Sequence, residues 1–117
     1  MTTNELMIKV KNELEARGFN VQSADGYTYQ AWAEKDGKSE HRQVEGFKFT
    51  HLFGYDVRLA VVHRHNDTAE NTSVDISIAE WSFSSGHHIA SERVNTKMSD
   101  KSIANRVSKI AAIFETL

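Results

Sequence analysis

The stretch DVRLAVVHRHNDTAENTSVDISIAEWSF, residues 56–83, decides the fold. Val57, Leu59 and Val61 alternate with Arg58, Ala60 and Val62, the period of two that marks a β-strand from about Asp56 to His65. Val74, Ile76 and Ile78 repeat that period from Ser73 onward. The polar segment Asn66–Asn71 between them is a loop, and strands joined by short turns pair antiparallel. Trp81 and Phe83 fall out of phase with Val74, Ile76 and Ile78, which predicts a β-bulge near Ala79–Glu80.

Working upstream, a third strand is expected from about Val44 to Phe53, with Phe47, Phe49, His51 and Phe53 on one face and Gly54 breaking it. Asp25-Gly26 is a hairpin signal between Phe19–Gln22 and a strand in which Tyr27, Tyr29, Ala31 and Ala33 oppose Thr28, Gln30, Trp32 and Glu34. Asp36-Gly37 marks another turn inside the polar stretch Glu34–Arg42. Downstream, Ser84-Ser85-Gly86 reads as a turn, and His88 to about Thr96 as a sixth strand.

Helices are expected at both ends. Leu6, Val10 and Leu14 recur at helical spacing over residues 4–17, with Thr3 or Asn4 as N-cap and Gly18 as the stop. Ser99 or Asp100 caps a final helix whose apolar stripe is Ile103, Val107, Ile110, Ala111, Phe114 and Leu117. The expected fold is one α+β domain over residues 1–117. It has an antiparallel meander of five to six strands with both helices packed on one face, a two-layer sandwich. The other sheet face is then left for solvent or a partner.

The composition narrows the chemistry. The 117 residues carry 14 Lys and Arg against 16 Asp and Glu, a balance that argues against a protein that coats nucleic acid. There is no Cys, which removes disulfides, thiolate catalysis and Cys-based zinc sites. No apolar run approaches the ~20 residues of a membrane span. The N-terminus lacks a basic segment followed by an apolar one, so the expected setting is cytoplasmic, away from membranes.

Catalytic signatures are missing. Neither a nucleophile elbow, a P-loop, G-x-G-x-x-G nor HExxH occurs. Ser84-Ser85-Gly86-His87 reads as a turn rather than a Ser–His pair. Asp75, Glu80, Glu45 and Lys48 do not match the spacing of a metal-dependent nuclease site. Among six histidines, His63 and His65 stand at i and i+2 on one strand face, and His87 beyond the next turn is a third candidate ligand. Strand-end histidines without a metal are the commoner case, so no cofactor is expected.

Two surfaces remain. Trp32, Tyr29 and Arg58 fall on predicted strands, and an aromatic–arginine sheet face suits a hot spot for a protein partner. An exposed edge strand also offers pairing with a second copy, giving a homodimer. The C-terminal segment is basic: Arg93, Lys97, Lys101, Arg106 and Lys109 stand against Asp100 and Glu115, whereas residues 1–92 hold an acidic excess. That segment is a candidate for phosphate contacts with nucleic acid. The leading expectation is a non-enzymatic binding protein that occludes or bridges a macromolecular partner. Its size and general character resemble those of small proteins encoded by phages and mobile elements, an inhibitor of a host system being one instance. Nucleic-acid binding through the basic helix is the alternative, and a histidine metal site or metal-dependent enzyme the third reading.

Overall fold

The chain opens with α1, Thr3–Ala16, capped one residue earlier than expected: the Thr2 hydroxyl accepts from Glu5 N–H, and Glu5 reaches back to the Thr2 N–H, a reciprocal capping box. At its other end Phe19 N–H donates to Leu14 O, and Gly18 N–H to Glu15 O, with Gly18 at φ +90°. That is a Schellman stop, and it turns the chain directly into the sheet. In this computed structural model, residues 1–23, 30–43, 45–46, 50–62, 72–83 and 85–117 are described. The expected Asp25-Gly26 turn and the side chains of Tyr27, Tyr29, Phe47 and Phe49 lie outside them.

The strands are β1 (Asn20–Gln22), β2 (Gln30–Glu34), β3 (Ser39–Gln43), β4 (Thr50–Val62), β5 (Ser73–Ser82) and β6 (Ser85–Asn95), followed by helix α2 (Asp100–Glu115). All pairings are antiparallel, in the order β1-β2-β4-β5-β6, with β3 also paired to β4. Leu6, Met7, Val10 and Leu14 of α1 and Ile103, Val107, Ile110 and Phe114 of α2 share one core with Ala31, Ala33, Val57, Leu59, Val74, Ile76, Ile78 and Val94. Both helices therefore cover the same face of the sheet, as the two apolar stripes require. Leu117, at the end of the expected stripe, stays 38% exposed beyond α2.

Three strand readings are corrected. The strands expected at Val44–Phe53 and Asp56–His65 are one strand, β4, which runs through Gly54. Gly54 stands at φ +98°, and a Cβ there would collide with the Lys38 carbonyl oxygen. The glycine thus bends the strand instead of ending it, and lets the crossing backbone come close enough for Tyr55 N–H to reach Lys38 O at 2.9 Å. Second, the polar stretch Glu34–Arg42 holds a strand, β3. β2 pairs with residues 57–60 of β4 and β3 with residues 50–54, so the two lie end to end along one side of it. Asp36-Gly37 is a turn, but one that interrupts this row rather than reversing it.

Third, the expected bulge lies between Ile78 and Ala79 on the β6 side: Ile78 pairs with Ala90 and Ala79 with His88, which leaves Ile89 as the extra residue. The pairing of β5 with β4 runs unbroken from Ser73 to Trp81. The β5–β6 turn falls at Phe83, at φ +67°, earlier than Ser84-Ser85-Gly86, and Gly86 is inside β6.

The Lys35–Lys38 excursion closes the end of α2. The last turn of α2 has no basic residue of its own. Lys38 Nζ donates to Phe114 O at 2.7 Å and Lys35 pairs with Glu115 at 3.0 Å, so cations from the sheet meet the negative end of the helix dipole. Because Gly54 sets the position of the Lys38 backbone, Gly54→Ala is expected to cost at least about 2 kcal/mol, from positive-φ strain plus the clash. A urea titration with an unchanged m-value checks this, and a midpoint equal to wild type contradicts it.

Candidate functional site

On β4, Asp56 and Arg58 are two residues apart and share the sheet face that the helices leave bare. Unbroken β4–β5 pairing puts Trp81 on that face too, because Gly54 pairs with Trp81 and Asp56 with Ala79. β2 contributes Trp32, the direct cross-strand partner of Arg58. Four side chains from three strands thus converge.

Asp56 is fully buried. Its Oδ1 accepts the Trp81 indole N–H at 2.8 Å and Arg58 Nε–H at 3.1 Å; its Oδ2 accepts Arg58 Nη2–H at 2.7 Å. A two-pronged guanidinium and one indole donor satisfy a charge that would be costly to bury alone. The Trp81 ring lies against Gly86, its partner on β6: a Cβ on Gly86 would meet ring carbons at 2.7–2.9 Å. The indole therefore lies across the sheet from β6 to the carboxylate on β4.

The guanidinium carbon of Arg58 sits 4.6 Å from the Trp81 ring centroid and 5.9 Å from that of Trp32. Arg58 is held as the middle rung of a Trp–Arg–Trp ladder, with its side chain 32% exposed. The fork to Asp56 uses Nε and Nη2. The arrangement presents flat aromatic area beside a guanidinium that its carboxylate partner holds in place.

Sequence reasoning named Trp32 and Arg58, and the structure brings these two together. Tyr29 lies outside the described residues. Asp56 and Trp81 were missed. The signal was there in Trp81, whose phase differs from that of Ile78: with no extra residue in β5, that phase places it on the bare face.

The basic residues separate into two groups. Arg93 pairs with Asp75 at 2.7 Å on the bare face, remote from α2. Lys97 lies in the turn after β6, and Lys101, Arg106 and Lys109 are exposed on α2, with Arg106 reaching Glu92 at 3.0 Å. A groove of about 420 Å³ is lined by Met98, Ser102, Asn105, Arg106 and Lys109. Of the candidate metal ligands, His63 and His65 are outside the described residues, and His87 faces Glu80 at 3.9 Å. Among the described residues no group of three His, Asp or Glu side chains is placed to hold a metal, and no helix is long and apolar enough to cross a membrane.

Glu80 also takes the Tyr55 hydroxyl hydrogen bond, and this contact with its carboxylate raises the Tyr55 pKa above the usual phenol value. At the far end of β3, the Arg42 hydrogen bond holds Glu40 below the usual carboxylate range and raises Arg42. Comparison with protein-family models, with curated proteins and with solved structures finds no match to this chain.

Two outcomes follow from this geometry. Trp81→Phe keeps the ring but leaves buried Asp56 one donor short, at an expected cost of about 1.5–3 kcal/mol in chemical denaturation; an unchanged stability contradicts the role given to the indole N–H. For Tyr55, the folded state favours the protonated phenol. The stability it adds is present below pH ~10 and is lost as pH rises through the raised folded-state value. In alkaline denaturation, Tyr55→Phe is expected to remove that component, and an identical alkaline profile contradicts it.

Proposed function

We propose that this chain is a non-enzymatic binding protein that docks the Trp32–Arg58–Trp81 face onto a protein partner, which it occludes or bridges. The observation that carries the reading is the ladder itself: an arginine fixed from behind by a buried carboxylate and flanked by two indoles. Trp and Arg are the residue types most enriched at energetically dominant interface positions, because they combine large apolar area with directional donors. A neutral Asp56–Arg58 pair behind the rings lets the patch be desolvated without stranding a charge, which supports a protein contact over a strongly ionic one. An inhibitor of the kind that phages or mobile elements direct at a host system is one instance of such a protein.

Trp32 is the residue that separates binding from folding, since it makes no hydrogen bond to Asp56. A partner captured from the native host's lysate and then purified is titrated by calorimetry against wild type and Trp32→Ala. The expected loss is at least about 30-fold in Kd, the ~2 kcal/mol of a hot-spot residue, with the thermal midpoint nearly unchanged. Equal affinity of Trp32→Ala for that partner overturns the assignment of this face.

A further inference from the structure

The outward flank of α2 is a second surface, on the opposite layer from the tryptophan ladder, and its charge is arranged by contacts made elsewhere. α2 carries two acids. Asp100 at its start is paired with Lys9 of α1 at 2.6 Å, and Glu115 at its end with Lys35 at 3.0 Å. Both carboxylates are thus neutralised from outside the helix. Between them stand Lys101, Arg106 and Lys109, all exposed, with Lys97 just before the helix. Among the described residues, Glu92 meets this row: it holds Arg106 through Nη1 at 3.0 Å and leaves its Nε and Nη2 edges free of that contact. On a chain whose formal charge is −2, this flank is locally cationic.

Its shape fits the charge. Ser102, Asn105, Arg106 and Lys109 fall on one stripe of α2 and line the 420 Å³ groove with Met98. They place hydroxyl, amide, guanidinium and ammonium donors along one line. From Lys101 to Lys109 the helix rises about 12 Å at ~1.5 Å per residue. That length matches three to four successive phosphates of one nucleic-acid strand at ~3.4 Å each along a duplex axis. Ser, Asn, Lys and Arg are the side chains that contact phosphate oxygens, and such contacts fix position without reading sequence.

We propose that the α2 flank bearing Lys101, Arg106 and Lys109 binds the phosphate backbone of nucleic acid without sequence preference. Arg93 takes no part, because it lies on the other sheet face with Asp75. The surface is independent of the tryptophan ladder, so each reading can fail without the other.

The test uses the full, untagged chain and fluorescence anisotropy with three labelled probes: a 20-base-pair duplex, a single strand of the same length, and polyglutamate of matched charge. With about three phosphate contacts, duplex affinity is expected to fall about 40-fold between 50 and 200 mM salt. Lys101→Glu with Lys109→Glu, both exposed and therefore compatible with folding, is expected to weaken binding at least about tenfold. The neutral pair Lys101→Gln with Lys109→Gln should give an intermediate loss, and Trp32→Ala no loss. Absence of oligonucleotide binding at 50 mM salt, binding that ignores the reversals, or equal retention of polyglutamate each overturns the proposal; the last result assigns the flank to an acidic protein instead.

Discussion

A carboxylate with no solvent exposure sits in the middle of the central strand, and the arrangement of the helix-free face follows from keeping it satisfied. Asp56 takes three hydrogen bonds, two from Arg58 and one from Trp81. Arg58 can supply its pair because it lies two residues along the same strand. Trp81 can supply the third because β5 pairs with β4 without a slip as far as Gly54. Its ring needs a neighbour without a side chain on β6, and Gly86 is that neighbour. The extra residue required to bring Gly86 opposite Trp81 is absorbed on β6 at Ile89, which leaves the carboxylate's own strands in register. Buried ionic groups add little net stability compared with apolar packing, but they penalise wrong pairings heavily. Here a one-residue slip of β5 would move the indole to the helix side and leave the buried carboxylate one donor short.

The helix layer is tied to the sheet by a different device. α2 ends over the β2–β3 junction, and the junction answers with Lys35 and Lys38 in place of the basic residues that the last turn lacks. Arg17, the C-cap residue just beyond α1, bonds Glu13 on that helix and Ser108 at 2.8 Å on α2. Lys9, midway along α1, pairs with Asp100 at the start of α2. The two helices are thus joined by one ion pair, by the Arg17–Ser108 hydrogen bond and by the apolar core between them. One consequence is electrostatic: the acids of α2 are consumed by these ties, and its outward flank is left to lysine and arginine.

The helices and the α+β layering were legible in the sequence because each has a strong period or stop signal. Leu6, Val10 and Leu14 mark one buried face, Ile103 to Phe114 the other, and Gly18 ends α1 as its position suggests. β3 was not legible. Ser39-Glu40-His41-Arg42-Gln43 pairs along an edge, and its last four residues are exposed, so no apolar alternation was selected there. Gly54 misled for a related reason: a glycine that ends a strand and a glycine that bends one read identically until the backbone crossing it is known. Half of the candidate site could be read, since Trp32 and Arg58 each announce an aromatic or cationic residue on the polar face of a strand. Asp56 could not, because a buried acid beside a turn glycine looks like a solvated strand end. Only the combination with Trp81, 25 residues away, reveals it.

The placement of the two surfaces bears on whether both proposed partners could be engaged at once. The tryptophan ladder and the α2 flank lie on opposite faces of the same sheet, with the core between them. A flat partner that covers one cannot cover the other. The ladder is rigid, nearly neutral and partly apolar, so its contacts depend on shape and should be insensitive to salt. The flank is cationic and its lysines are exposed, so its contacts weaken quickly as salt rises. If both proposals hold, the chain engages a protein through the first surface and a polyanion through the second. That separation favours bridging over simple occlusion, because each side of the sheet remains accessible while the other is engaged.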